Sequence, residues 1–329
     1  MNHSLLRLAA ICFGLLSSFA ACAGCGSTVC PINTNWDEHS AGKPGLSIDL
    51  RYSSARLDQL RSGSNKVAAE DPTDPAIAGE EVENLYTENR LLTATLDYTV
   101  DDRTGFSVQL PYVMRTHKHT IADPAQPTVE TFDAKAFGDV RMTGRYRIVS
   151  GDTGGAGIKA GLKLATGRKN VANDQGAIPG EVSLQPGNGS TDLILGAFWQ
   201  QGAHGDALSY FAQALLQTPI NHLADFKPGN QVNLDAGLRY AVGSSASALL
   251  QLNYQVNAQD GGSAAPADAT GVPGTSTGGR FLYLTPGVSV ALVAGTNLYA
   301  LVQLPLYQYV NGEQLTASRP VTIGINRRF

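Results

Sequence analysis

The chain has no cationic excess, few cysteines, only two tryptophans and, beyond its first residues, no long apolar run. Each shortage excludes something. The 24 Lys and Arg are outnumbered by 28 Asp and Glu, for a net charge of -4. No basic cluster stands out against that balance, so nucleic acid is not an expected partner. No segment after the N-terminus approaches the ~20 apolar residues that a membrane-spanning helix requires. Hydrolase and metalloprotease signatures are missing, with neither G-x-S-x-G nor H-E-x-x-H present. The glycine-rich "GDTGGAGIKAG" (151–161) lacks the Gly-Lys-Ser/Thr ending of a phosphate loop. There is no Cys-x-x-Cys-His for covalent haem. The sequence therefore reads as non-enzymatic and calls for no cofactor, although a catalytic set assembled from distant segments would leave no such motif.

What is present begins with an address. Met1 to Arg7 carries Arg7 and no acid, Leu8 to Ala20 is apolar, and Ala21-Cys22-Ala23 offers small residues where a signal peptidase cuts. This pattern predicts a cleaved secretory signal over 1–23. The alternative takes "FAAC" (19–22) as a lipoprotein site with Cys22 lipidated. Export makes a disulfide between Cys25 and Cys30 the expected state of a short periplasmic segment, 24–44. The nearby Asp37, Glu38 and His39 leave metal binding by those thiols as the other reading.

From residue 45 onward the chain alternates. "GLSIDLRY" (45–52) sets Leu46, Ile48, Leu50 and Tyr52 against Ser47, Asp49 and Arg51. "DVRMTGRYRI" (139–148) and "QVNLDAGLRY" (231–240) repeat the period of two, which is the signature of strands with one apolar face. Twelve such cores follow one another, at 45–56, 87–99, 105–116, 136–148, 156–165, 190–201, 207–218, 231–242, 246–257, 280–291, 297–308 and 320–329. Their connections alternate long and short without exception, from "SGSNKVAAEDPTDPAIAGEEVEN" and "DDRTG" to "AGTN" and "VNGEQLTASR". A sandwich has no reason to sort its loops that way, whereas outer-membrane barrels pair short periplasmic turns with longer extracellular loops. The predicted fold is all-β: a twelve-stranded antiparallel transmembrane barrel over 45–329, with outer-membrane lipids around it.

The last stretch, "VTIGINRRF" (321–329), predicts a closing strand whose apolar set ends in Phe329. Closure pairs its edge, which lipid would otherwise leave unsatisfied. Outer-membrane barrels as a class end in a strand with a terminal aromatic, which the barrel-assembly machinery reads. Arg327 departs from the pattern on the apolar face, where it can snorkel toward headgroups. Tyr52, Tyr112, Tyr146, Trp199 and Tyr240 are placed for interfacial girdles.

If the apolar sets face lipid, the lumen receives Asp49, Arg51, Asp97, Arg115, Asp139, Arg141, Arg145, Arg147, Lys159, Lys163, Asp192, Asp235 and Arg239. Arg141, Arg145, Arg147, Lys159 and Lys163 lie on adjacent strands and are candidates, with Arg239, for setting which small-molecule solute passes, because basic rings favour anions. Equally, the same residues could pair with acids and fill the interior. His117 and His119 put two imidazoles on one side of a strand end. They read as polar rim residues, with a transition-metal perch as the alternative.

Three stretches, "FGDVRMTGRYRI" (137–148), "AGLKLATGR" (160–168) and "LPLYQYVNGEQL" (304–315), resemble the outer-membrane proteins associated with meta-pathway phenol degradation and their transporter-like relatives. The resemblance implies a channel-like or transporter-like barrel for small aromatic or hydrophobic compounds and brings no catalytic residues with it. A barrel of closed lumen that binds a partner through its loops or N-terminal segment is the competing reading.

Overall fold

A computed structural model describes residues 44–151, 153–176, 182–203, 207–266, 272–293 and 295–329. The expected signal peptide, Cys25 and Cys30 fall outside the described residues. Among the described residues there are fifteen strand segments: β1 (Gly45–Gly63), β2 (Asn65–Lys66), β3 (Glu81–Thr99), β4 (Thr104–Ile121), β5 (Thr128–Phe137), β6 (Arg141–Gly151), β7 (Gly154–Lys163), β8 (Thr191–Ala203), β9 (Leu208–Asn221), β10 (Gln231–Val242), β11 (Ala246–Asn257), β12 (Gly279–Val293), β13 (Thr296–Val302), β14 (Leu304–Ala317) and β15 (Val321–Arg328). They build twelve antiparallel staves. β5 and β6 form one stave against β4, and β2 is a small flap on β1. β13 runs into the first half of β14 as the eleventh stave along β12. The second half of β14 and then β15 make the twelfth, along β1.

The sheet closes on itself because β1 has a partner on both edges. It pairs with β3 from Gly45↔Thr99 to Leu57↔Thr87. On its other side it pairs with β15 from Ser47↔Arg328 to Ser54↔Val321. In lipid an unpaired strand edge would strand polar backbone groups at several kcal/mol each, so closure is what lets strands cross at all. The outward face bears Leu46, Ile48, Leu50 and Tyr52 of β1, Leu96 of β3, Ile158 of β7 and Leu250 of β11, all exposed. The β1 set is the one that the alternation singles out. Trp199, Tyr146 and Tyr240 also face outward, and Tyr112 packs edge-on against Phe137 with ring centroids 5.2 Å apart.

Several staves are longer than the predicted cores. β1 and β3 run 19 residues each, while about ten residues suffice for an apolar band of ~25 Å at a tilt near 40°. The surplus projects from the long-loop end, where the facing inverts. On β1 the inner positions change from Asp49, Arg51 and Ser53 to Ala55 and Leu57, both buried. The outer positions change from Leu50 and Tyr52 to Arg56 and Asp58, which form an exposed ion pair at 3.3 Å. Above the lipid the wall is thus built as in a soluble barrel, with a core of Ala55, Leu57, Leu60, Phe132, Ala134, Leu315 and Ala317 inside. "VNGEQLTASR", expected as a long connection, is a tight hairpin tip here. Gly312 turns the chain with φ 58°, and a Cβ on it would sit 2.7 Å from Ser276 Oγ.

At the seam, the Phe329 N–H donates to Leu46 O at 2.9 Å. The Arg327 guanidinium lies 4.9 Å from the Phe329 ring centroid, which places the one charge of that face over an aromatic surface. Deleting Phe329 is expected to lower the amount of heat-modifiable barrel recovered from outer-membrane fractions. Unchanged folding yield would show that the seam closes without it.

Candidate functional site: the polar lumen

The inward positions enclose a cavity of about 390 Å³. It reaches from the level of Asp49, Thr95 and Thr322 to Ser183, Gln185 and Asp260 of the long loops. The volume falls in the range of small-molecule pockets, roughly 300–1,000 Å³. One part of the wall is apolar, from Leu91, Val113, Ile194 and Leu215, and another carries Arg51, Arg115, Arg141, Lys159 and Lys163 against Asp49, Asp139 and Asp235.

Strand register fixes how the predicted basic residues meet. Arg141 lies opposite Lys163, and Arg145 opposite Lys159, across the β6–β7 ladder. Their partners then differ. Arg145 Nη1 donates to both Asp97 oxygens at 2.9 and 2.8 Å, and Nη2 donates to Thr99 Oγ1 at 2.6 Å. Lys163 Nζ sits 3.2 Å from both Asp139 and Asp192 and donates to Asn188 and Ser190 at 2.6 and 2.8 Å. Lys159 reaches Gln213 at 3.4 Å and lies 5.6 Å from the Phe198 ring centroid. Arg141 donates to the neutral amide of Gln217. Arg147 is buried opposite Gly157 at the short-turn end. Arg239 sits on β10, beyond β8 and β9, and is not part of the cavity wall.

The described parts of the long connection after β7, 164–176 and 182–190, fold inward. Both ends of this connection are tied to Asp139, which accepts from the Gly167 N–H at 2.8 Å and the Asn188 N–H at 3.4 Å. The Gln185 amide pairs with the backbone of Val171, both bonds at 2.9 Å. Leu184 is buried in the apolar core of the upper wall. Ser183, Gln185 and Pro186 beside it line the cavity. A second loop brings Asp260, whose carboxyl is raised above its usual range by burial while the Gly229 N–H at 2.7 Å opposes this. At the other end of the barrel, in the short turn after β3, the N–H groups of Arg103 and Thr104 hold the Asp101 carboxyl below the usual range.

Sequence reasoning did not find the amide lining. Gln251, Asn253 and Gln255 of β11 are buried inside, and Asn253 donates to Asp235 at 2.7 Å. Their alternation with Leu252, Tyr254 and Val256 was the available signal. His117 and His119, read as rim residues, are at the long-loop end but buried, at 1% and 5% exposure. They face the interior of the upper wall.

No family model matches the chain, and no curated protein matches it. Among solved structures, an outer membrane channel from Pseudomonas putida superposes with a TM-score of 0.62 at 13% identity, over 92% of this chain and 100% of that one. The transport unit of the autotransporter AIDA-I from Escherichia coli gives 0.47 at 12% identity over 93% and 95%. The NanC porin gives 0.46 at 11% over 86% and 100%. At such identities the likeness to the channel is one of fold, a closed barrel of the outer-membrane type.

Proposed function

We propose that the protein is a channel of the bacterial outer membrane that passes small organic solutes, preferring anions with an apolar or aromatic body. The carrying observation is the lumen cavity, whose lining combines an apolar stretch from Ile194 and Leu215 with cations that include Arg141, bonded to Gln217 on the strand of Leu215. A flat ring would lie on the first and its carboxylate on the second. The resemblance to the phenol-degradation outer-membrane proteins supports this class of solute, since its stretches contribute Asp139, Arg141 and Lys163 to the lumen. Outer-membrane lipids around the apolar belt and the barrel-assembly machinery at the seam complete the proposed partners.

Planar-bilayer recordings of the purified protein test the reading. Discrete conductance steps that benzoate reduces are expected, and a sealed bilayer would overturn it. Arg141→Gln adds a residue-level test, because this cation is held by a neutral amide. Its field in the lumen is worth on the order of 1 kcal/mol to a passing ion after screening. The variant should lose roughly fivefold in anion over cation permeability, read as a shift in reversal potential, with barrel yield intact. The second reading, a barrel of closed lumen that binds a partner, rests on Leu184 and its neighbours standing over the cavity. It predicts no conductance in wild type.

A further inference from the structure

We infer that Glu83, His117 and His119, with Glu81 beside them, form a binding site for a divalent transition cation in the upper wall of the barrel, apart from the lumen cavity. One ligand atom from each of the first three lies within 4.8 Å of the others, and all three residues are buried. His117 Nε2 is 2.9 Å from His119 Nδ1 and 3.6 Å from Glu83 Oε1. Glu81 Oε1 is 3.8 Å from His119 Nε2. Two imidazoles, through His117 Nε2 and His119 Nδ1, and the Glu83 carboxylate make a donor set of the kind that zinc and its neighbours take, with Glu81 as an outer partner on the far side of the His119 ring. An ion bonded at ~2.0–2.1 Å to two nitrogens in tetrahedral array holds them about 3.3 Å apart. The imidazoles need to open by only a few tenths of an ångström.

Two features point to an occupant over a mere polar contact. Thr87 Oγ1 is 2.9 Å from His117 Nδ1. With the Nδ1 proton donated to that hydroxyl, Nε2 keeps its lone pair toward the cluster, the arrangement by which an outer partner orients a ligating histidine. Independently, His119 Nε2 is buried with no hydrogen-bond partner. An ion on His119 Nδ1 would leave the ring proton on Nε2, turning this orphaned acceptor into a donor that faces the Glu81 carboxylate at 3.8 Å. Glu81 has a side chain one quarter exposed, against 2% for Glu83 and His117, and so stands on the entry side. Bound there, the ion would tie β3 to β4 where a register shift between Val82 and Tyr86 interrupts their ladder.

The test uses the tag-free full chain, folded in detergent, with Cys12, Cys22, Cys25 and Cys30 replaced by serine so that no thiolate competes. After EDTA treatment it is titrated with Co²⁺ and Zn²⁺. One equivalent of tight binding is expected, with the visible Co²⁺ bands of a nitrogen and oxygen site and displacement by Zn²⁺. Glu83→Gln and His119→Gln should each weaken binding by more than about tenfold. Thr87→Val should weaken it while leaving the Co²⁺ spectrum in place. In His119→Gln the one ring hydrogen bond at stake is that of Nδ1 to His117, since the wild-type Nε2 has none to lose, and the heat-modifiability of the variant reports whether the fold survives. No saturable uptake, or uptake unchanged in Glu83→Gln and His119→Gln variants that remain heat-modifiable, would overturn the site.

Discussion

Arg145→Gln is expected to lower the stability of the folded barrel by about 2–4 kcal/mol, and Asp97→Asn in the same chain to restore most of it. The two side chains are 11% and 6% exposed. Both carboxylate oxygens accept from one guanidinium nitrogen while the other nitrogen bonds Thr99. Removing the cation alone leaves Asp97 charged in a site that excludes most water, which is the expensive way to break such a pair. Removing both charges leaves two amides that can bond to each other and to Thr99. Gly105 belongs to the same unit, since a Cβ there would collide with the Arg145 guanidinium; Gly105→Ala should therefore resemble the single variant. Urea unfolding in lipid vesicles measures all of these. Equal midpoints for the single and double variants would mean that lumen water already solvates the pair.

The transmembrane part of the fold is legible in the sequence because one solvent enforces one rule. Wherever a stave crosses lipid its outward residues must be apolar, so Leu46, Ile48, Leu50 and Tyr52 announce β1 without any tertiary information. Above the lipid the rule reverses. Ala55 and Leu57 are apolar on the opposite parity, and a reader following one phase ends the strand at that point. The long connections looked longer than they are for this reason, and "VNGEQLTASR" looked like a loop.

The site was less legible, because its chemistry is made between staves. Lumen parity assigned Asp97 and Arg145 to the interior, but they come from β3 and β6, which meet only across β4 and over Gly105. Glu83 precedes His117 by more than thirty residues and stands at the register shift in β3, so period two could not carry it into the histidine cluster. Parity marks Lys163 as a lumen cation, and the structure has it in the cavity wall. Its contacts with Asp139, Asn188 and Ser190 also hold the base of the inward connection, a role that no pattern within β7 could signal.

Leu184→Ala is expected to raise the open conductance of the barrel, or to create one where wild type shows none. Leu184 is 3% exposed and is the buried residue by which the inward connection enters the core of Ala55, Leu57, Phe132, Ala134 and Leu315, with half-buried Val171 packed against the same core. Truncating a buried leucine costs about 2–5 kcal/mol. At the low end, ~2 kcal/mol reduces the docked-to-undocked ratio of this connection roughly thirtyfold. The polar ties would persist, because Asp139 still accepts from Gly167 and Asn188 and Gln185 still pairs with Val171. The change should therefore free the part of the connection beside Ser183, Gln185 and Pro186 while its base stays attached. The barrel wall keeps every strand pairing, so heat-modifiability should match wild type and separate loop release from general unfolding. The substitution leaves lumen charges in place, so ion selectivity should stay put while conductance rises. Arg141→Gln should do the reverse, moving selectivity at nearly constant conductance. If Leu184→Ala folds normally and its conductance equals that of wild type, the inward connection does not restrict passage, and the cavity beneath it is reached by another route.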